Sequence, residues 1–149
     1  MKVSFRLATP RDVPAILDLL TDDRLGAARE GTDIEPYLQA FARMQVEAAN
    51  HLIVGEGEGR IVATCQVTYI SGLSLRAARR AQVESVRVAS DLRGHGIGRL
   101  MMDEVERRAR AAGCALIQLT MNKSRTGSDQ FYQRLGFTPS HIGYKRDLS

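Results

Sequence analysis

The stretch that most constrains the fold of this chain runs from Gln82 to Ala112 and has the pattern of a strand, a glycine-rich turn and a helix. The strand part is β-branched, and the helix part repeats apolar residues at the spacing of one helical face. The strand is marked by Val83, Val86 and Val88, and the helix by Ile97, Leu100, Met101, Val105, Ala109 and Ala112. The chain is therefore predicted to pass from strand to helix through glycine.

Three glycines at alternate positions, Gly94, Gly96 and Gly98, stand where the helix begins, and Arg93 and Arg99 flank them. Glycine allows backbone N–H groups to approach a ligand, and a helix N-terminus offers unpaired donors. This turn is therefore predicted to bind phosphate. A dinucleotide fingerprint is excluded because its third glycine is missing, and a Walker loop is excluded because no Gly-Lys-Ser/Thr is present.

The remaining pattern, Arg93-x-x-Gly96-x-Gly98, resembles the acetyl-CoA motif of the GNAT N-acetyltransferases. A glycine-rich turn of this kind can also be explained by tight packing alone. A second match to the same family is therefore needed to support the resemblance. Downstream, Gln118-Leu-Thr-Met-Asn122 and Phe131-Tyr132-x-x-Leu135-Gly136-Phe137 resemble the other signature of that family, in the order that the family has them. The two matches together make the chain similar to this family over essentially its whole length.

The resemblance implies an α/β (α+β) fold in a single GNAT-type domain over residues 1–149. The central sheet is expected to be mixed and mostly antiparallel, with six to seven strands and about four flanking helices. The sheet is expected to splay between strands 83–89 and 114–120, so that acetyl-CoA enters there.

Local patterns predict the order of the elements. They predict a strand over 3–7, a helix from Thr9, a helix over 33–49, a hairpin of 51–54 and 60–69, a loop over 71–80, a strand over 83–89, a strand over 114–120, a helix over 128–135, and last strands at 137 and 142–146.

The resemblance also implies which residues contact acetyl-CoA, the expected co-substrate. In the family, the strand before the loop contacts the cofactor through its backbone, and the loop amides hold the pyrophosphate. Carried over to the matching positions, the expected contacts are Val86, Arg87, Val88, Arg93, Gly94, His95, Gly96, Ile97, Gly98, Arg99, Asn122, Ser128 and Tyr132. For Asn122 the alternative is a turn residue that caps the following helix.

Two residues are expected to be catalytic by the same resemblance. Glu84 stands where many members of the family carry an acidic base, and strand alternation predicts that it shares a face with Val86 and Val88. It could instead be the salt-bridge partner of a nearby arginine. Tyr132 matches the tyrosine that acts as general acid on the leaving sulfur, and a phenol can donate a proton. Its alternative is packing beside Phe131.

Two further residues are candidates for contact with the acceptor. Ser140-His141 resembles a pair that some small acetyltransferases of this family carry near the active site, although an incidental turn histidine is equally compatible. Glu30 belongs to an acidic stretch between Asp22 and Glu35, which could attract a cationic amine or form a solvated helix end.

Composition limits the other possibilities. The chain has 149 residues, 44% hydrophobic and 26% charged, which suits one globular domain. No apolar leader or membrane span is present, so a cytoplasmic protein without a membrane partner is predicted. Cys65 and Cys114 lack zinc spacing and are expected to be reduced, and the three histidines form no zinc pattern, so no metal is predicted.

The net charge of +4 would permit nucleic-acid binding, but aromatic residues make up 5% and no binding motif occurs. A basic surface also suits polyanionic coenzyme A. We therefore expect an N-acetyltransferase that moves an acetyl group from acetyl-CoA to a primary amine by direct attack in a ternary complex, as a monomer or a homodimer. The alternatives are an acyl-CoA-binding sensor or regulator without turnover, and a basic nucleic-acid module.

Overall fold

The computed structural model describes residues Met1–Ser149. The chain divides into two compact units, Met1–Gln118 and Leu119–Ser149. The elements in chain order are β1 (Ser4–Leu7), α1 (Val13–Leu20), α2 (Arg24–Arg29), α3 (Glu35–Glu47), β2 (Asn50–Gly57), β3 (Arg60–Ile70), α4 (Ser74–Ala77), β4 (Arg80–Val88), α5 (Ile97–Ala111), β5 (Leu116–Leu119) and α6 (Ser128–Arg134).

The strands form one mixed sheet in the order β1-β2-β3-β4-β5. The pairings from β1 to β4 are antiparallel. The last strand runs parallel to its neighbour, because Ala115 N donates to Arg79 O (2.7 Å) and, further along both strands, Gln118 Nε2 donates to Gln82 Oε1 (2.7 Å). The prediction of a mixed, mostly antiparallel sheet is therefore confirmed.

Helices cover both faces of this sheet. Helices α1 and α3 lie on the face that carries Leu52, Thr64 and Gln66. Cys65 points to the opposite face because side chains alternate along a strand, and there it lies near Arg108 of α5. The largest fully buried side chains come from the central strands and α5, namely Ile53, Val54, Val62, Thr64, Cys65, Val67, Val83, Met101 and Val105. The sheet therefore provides the core that positions the residues of the candidate active site.

The first helix begins where the sequence predicts. A 3₁₀ turn over Pro10–Asp12 leads into α1, and Thr9 N donates to the Asp12 carboxylate (2.7 Å). The same carboxylate accepts two bonds from the Arg6 guanidinium, at 2.7 and 3.0 Å. Residues of β1 and of the helix start are thus fastened together.

The strand and helix counts differ from the prediction. The sheet has five strands, because residues 135–149 pair with no other strand. Alternation at Ile142 and Tyr144 suggested a strand, but these side chains are 73% and 90% exposed, so their pattern reflects no buried face. Two short helices, α2 and α4, were not predicted, and α4 is a single turn in which Leu75 and Arg76 have positive φ.

Two other expectations concern membranes and metals. No helix in the chain has the length and apolar character needed to cross a bilayer. No three side chains among His, Cys, Asp and Glu are grouped so that they could hold a metal ion.

Candidate active site

The central strand β4 contains a β-bulge. Glu84 lies opposite Gln66 in the ladder with β3, but Arg87 lies opposite Thr64, so β4 has one residue more than its partner between these pairs. Ser85, in the bulge, has a φ of +54°. A bulge of this kind bends the strand and redirects its side chains.

The bulge changes which residues share a face. Thr64 and Gln66 lie on one face of β3, and directly opposed residues of paired strands share a face, so Glu84 and Arg87 point to the same side. The prediction that Glu84 shares a face with Val86 and Val88 is therefore wrong. The inserted residue reverses the alternation at Ser85, and Glu84 faces the side of α1 and α3.

Glu84 is an exposed carboxylate that forms no ion pair in the structure. The alternative prediction, a salt bridge between Glu84 and a nearby arginine, is therefore not found in the structure. Its neighbour on the same face, Arg87, is instead buried and paired: Arg87 Nε lies 3.7 Å from Asp23 Oδ2, and Nη1 donates to Val86 O (3.0 Å). The Arg87 side chain is therefore engaged within the chain.

The strand's other edge is only partly covered by β5. The bonds from β5 to Arg79 and Gln82 lie before the bulge, and β5 ends at Leu119. Val86 and Val88, which are half-buried, follow the bulge, beyond those bonds. This is the part of β4 from which backbone contacts to a cofactor were predicted.

The glycine-rich turn opens directly after β4. A 3₁₀ turn over Ser90–Leu92 is followed by Gly94 and Gly96, with φ values of +81° and +83°. A Cβ atom at either position would meet no atom within 4 Å. The backbone N–H groups of residues 96–99 donate to no group of the chain, as is normal at a helix start. The turn therefore presents free donors around open space.

Three side chains hold the turn in place. Asp22, between α1 and α2, accepts from Ser90 N (2.8 Å) and Ser90 Oγ (3.0 Å). Arg93 donates to Val88 O (3.2 Å) and to Asp22 O (3.1 Å). His95 Nδ1 lies 3.2 Å from Leu92 O and 3.1 Å from Arg93 O. Because carbonyl oxygens only accept, Nδ1 carries the proton.

The remaining predicted residues of the turn belong to the first turn of α5. Ile97 is buried and anchors the helix in the core, whereas Gly98 is half-buried and Arg99 is exposed. The structure thus brings the predicted residues from Glu84 to Arg99 together as one strand, turn and helix start.

Four predicted residues lie in the second unit. Tyr132 on α6 packs edge-on against Phe131 and Phe137, with ring centroids 5.0 and 5.8 Å away. Ser128 is the first residue of α6 and follows Gly127, whose φ is +83°.

Asn122 and His141 both make local bonds in this unit. Asn122 Oδ1 accepts from Ser124 N (2.9 Å) and Ser124 Oγ (2.7 Å), so this side chain does act in a turn. The predicted Ser140-His141 pair is hydrogen bonded, with 2.7 Å between Ser140 Oγ and His141 Nδ1, and both residues are exposed.

Glu30 lies at the end of α2, and its carboxylate contacts two neighbouring side chains. Tyr37 O–H donates to Glu30 Oε2 (2.9 Å), and Arg29 Nε lies 3.4 Å from Glu30 Oε1. The other acidic groups of this stretch are also engaged, since Asp22 holds Ser90 and Asp23 caps α2. The acidic bias therefore serves the local structure to a large extent.

On the face of the sheet that carries Glu84, a cavity of about 160 Å³ lies between α1, α3 and strands β2 and β3. Ser85, Thr64 and Gln66 form its sheet side. Sequence reasoning missed this cavity and the anchoring role of Asp22, whereas a bulge that exposes backbone donors near Val86 was considered and is present. The bulge alone had a signal, because the apolar residues Val83 and Val86 are spaced by three instead of two.

Comparison with known proteins agrees with this architecture. The family model described as Acetyltransferase (GNAT) family matches residues 13–137. A crystal structure from Bacillus halodurans C-125, described as a transcriptional regulator, is 37% identical with a TM-score of 0.94, covering 99% of this chain and 100% of that one. A predicted acetyltransferase from Clostridium acetobutylicum, solved with acetyl-CoA, shares the fold at 16% identity and a TM-score of 0.76, covering 99% and 97%.

Two curated relatives are enzymes by name. The aminoalkylphosphonate N-acetyltransferase of Salmonella typhimurium is 24% identical over 143 residues, covering 96% of this chain and 90% of that protein. An uncharacterized N-acetyltransferase of Methanocaldococcus jannaschii is 28% identical over 78 residues, covering 52% of this chain and 34% of that protein, so the match spans about a third of that relative. With the family match over most of its length, this chain belongs to the GNAT acetyltransferase family.

Proposed function

We propose that this protein transfers an acetyl group from acetyl-CoA to the primary amine of a small acceptor, by direct attack in a ternary complex. The observation that carries the proposal is the bulged strand β4 with its unpaired Glu84, followed at once by a turn of free backbone donors. The family relationship supports an acetyltransferase, and the named amine acceptor of the Salmonella relative supports a small amine.

The turn fits the diphosphate of coenzyme A. Gly94 and Gly96 leave open the space that a side chain would fill, and the N–H groups of residues 96–99 point from a helix N-terminus. Arg99 adds an exposed positive charge on the first turn of α5. When bound, acetyl-CoA supplies the activated acetyl group, and the residues of this chain hold it and move protons.

Glu84 is assigned the role of base. It takes a proton from the acceptor amine, directly or through water, so that the nitrogen lone pair can form a bond to the acetyl carbon. Backbone N–H groups of the strand around Val86 to Val88 stabilise the negative charge that develops on the carbonyl oxygen. Tyr132 gives its phenolic proton to the sulfur as the carbon–sulfur bond breaks. The products are the N-acetyl amine, free coenzyme A and one proton. Of the two protons that the ammonium group loses, the one held by Glu84 restores Tyr132 by way of solvent, and the other leaves the nitrogen for solvent after the new bond has formed.

We further propose that the protein works in the cytoplasm, where acetyl-CoA is supplied and where unpaired cysteines persist. Cys65 and Cys114 form no disulfide, which is the usual state in a reducing compartment.

A second candidate function is that of an acyl-CoA-binding regulator without turnover. The relative from Bacillus halodurans described as a transcriptional regulator favours this candidate. Glu84 and Tyr132 argue for catalysis, since a regulator needs neither a base nor a proton donor. Tight binding of acetyl-CoA with no acetylation of any amine would favour the regulator.

The proposal is tested by calorimetric titration of the protein with acetyl-CoA. We expect binding in the low micromolar range, about −8 kcal/mol. Gly96→Ala should weaken binding at least tenfold, because its φ of +83° disfavours a side chain and the added methyl group enters the open space.

Gly59→Ala is the matched control. Gly59 has a φ of +77° in the β2–β3 hairpin, and a Cβ there also meets nothing within 4 Å. Both variants should lose about 1–2 kcal/mol of stability, but only Gly96→Ala should lose affinity. Absence of acetyl-CoA binding to the unaltered protein would overturn the proposed function.

A further inference from the structure

The cavity on the Glu84 face of the sheet is partly open and is lined mostly by apolar side chains. Helix α1 contributes Ile16 and Leu20, helix α3 contributes Phe41 and Met44, and β2 contributes Leu52. None of the residues that line the cavity carries a charge. The cavity therefore suits a hydrocarbon group and offers nothing to balance an ion.

Three of the four polar side chains on the wall, all but Ser85, already have partners. Thr64 Oγ1 donates to Ile53 O (2.9 Å), and Gln66 Nε2 donates to Asn50 Oδ1 (2.9 Å). The Tyr37 hydroxyl donates to Glu30 Oε2 (2.9 Å) and accepts from Gly31 N (2.8 Å). A phosphate, phosphonate or carboxylate in this space would lose its water without gaining a cationic partner, which is costly.

The cavity is lined by residues next to the proposed base. Ser85, the residue after Glu84, lines it, and so does Gln66, which lies opposite Glu84 in the ladder. Glu84 itself does not line the cavity, so a ligand whose body fills it would extend past Ser85 to bring one end to Glu84. That end is where the nucleophilic amine must stand if Glu84 takes its proton.

From these three observations we infer that the acceptor is a primary amine on an uncharged hydrocarbon body of about six carbon atoms, an alkyl or arylalkyl amine. The inference rests on the proposed function and names its substrate class. The size follows from volume, because a cavity of about 150 Å³ lined by apolar side chains holds a benzene molecule. The ammonium group loses one proton to Glu84, its nitrogen then bonds to the acetyl carbon and loses a second proton to solvent, and the sulfur leaves with the proton from Tyr132.

The test is a series of amines, followed by thiol release from acetyl-CoA. From propylamine to hexylamine, kcat/KM should rise about fourfold for each added methylene, which is the increase expected from its burial. 6-Aminohexanoate, with the same chain and a terminal carboxylate, should react at least 100-fold more slowly than hexylamine, and 2-aminoethylphosphonate should react as slowly.

Two variants of α3 test whether the acceptor amine binds in this cavity. Ala40 lines the cavity, so Ala40→Leu should lower kcat/KM for hexylamine at least tenfold and weaken hexylamine binding to the protein alone, measured by calorimetry. Ala42 is exposed on the same helix, and Ala42→Leu should change neither. Leucine is a good helix former at both positions.

The outcomes separate the two proposals. If acetyl-CoA does not bind, the proposed function fails. If acetyl-CoA binds but 6-aminohexanoate or 2-aminoethylphosphonate reacts as well as hexylamine, or no alkyl amine reacts, the substrate class is wrong. Equal effects of Ala40→Leu and Ala42→Leu would also overturn it.

Discussion

Arg87 and Asp23 form a largely buried ion pair: Arg87 Nε lies 3.7 Å from Asp23 Oδ2, and the side chains are 9% and 18% exposed. The pair joins the strand just after the bulge to the first turn of α2, because Asp23 also accepts from Gly26 N. Removal of one partner would leave the other charge with little water around it. The pair therefore fastens the bulge to the α1–α2 connection.

We predict that Asp23→Ala lowers the free energy of unfolding by about 3 kcal/mol, through the stranded guanidinium and the lost helix cap. Asp91→Ala is the matched comparison. Asp91 Oδ2 lies only 2.7 Å from Arg60 Nη2, but the side chains are 62% and 51% exposed, so its loss should cost less than about 1 kcal/mol. Urea denaturation measures both, and equal losses would show that distance matters here more than burial.

Sequence patterns predicted most of the local elements. The helix start at Thr9 and the hairpin between residues 51–54 and 60–69 depend on chemistry within a few residues, and each is found where it was expected. Even the bulge had a local trace in the spacing of Val83 and Val86. These features were predictable because neighbouring residues alone determine them.

Contacts between distant segments were not predictable. Asp22 holds Ser90 across 68 positions of sequence, and Arg87 meets Asp23 in the same way. The cavity is formed by helices and strands that no local pattern brings together. The prediction of two last strands, at 137 and 142–146, was wrong for the same reason. Alternation of apolar and polar residues does not tell whether a partner strand is available.

Asp12 is predicted to make the free energy of unfolding fall at acidic pH. The Arg6 guanidinium holds the pKa of the Asp12 carboxyl below its ordinary value, against the opposing effect of burial, and Thr9 N lowers it further. This contribution to stability is complete above the unfolded pKa of about 3.9 and is lost as the pH falls through the lower folded value. At pH 7, Asp12→Asn should cost about 1–2 kcal/mol, because Arg6 is partly exposed.

Urea titrations at pH 7, 4 and 2.5 measure this effect. The difference between Asp12→Asn and the unaltered protein should shrink as the pH falls below 4. Asp103→Asn, on the exposed side of α5, is the control and should differ little at any pH. A difference for Asp12→Asn that stays the same at pH 2.5 would show that the carboxylate charge contributes nothing.

Cys65 is predicted to be chemically silent in the folded protein. Its side chain has no exposed surface, and burial raises the pKa of its thiol to about 12. At pH 8 only about one molecule in ten thousand would carry the thiolate that reacts. Cys114→Ser leaves Cys65 as the single thiol, and this variant should react with a disulfide reagent only in denaturant. Rapid reaction without denaturant would mean that the centre of the sheet opens readily.

Tyr132→Phe tests the proton donor. The phenyl ring of the variant keeps the edge-on contacts with Phe131 and Phe137. Turnover should fall by about 10²-fold or more, because the leaving thiolate loses its acid. Tyr144→Phe removes the same hydroxyl from a side chain that is 90% exposed and should leave turnover unchanged. Similar rates for both variants would remove Tyr132 from the mechanism.

Glu84→Gln tests the base and keeps the shape of the side chain. The carboxylate forms no ion pair, so the variant should fold and bind acetyl-CoA as the unaltered protein does. At pH 7 an alkyl amine, with a pKa near that of lysine at about 10.4, is almost entirely protonated, and turnover should fall by about 10²-fold or more.

The pH profile separates this role from a structural one. As the pH rises toward 10, more of the amine is already deprotonated, so the deficit of Glu84→Gln should narrow. Glu106→Gln, an exposed carboxylate of α5 paired with Arg110, is the control and should match the unaltered protein at every pH. A deficit that stays constant with pH would point to a positioning role for Glu84, and activity within twofold of normal at pH 7 would assign the proton to another group.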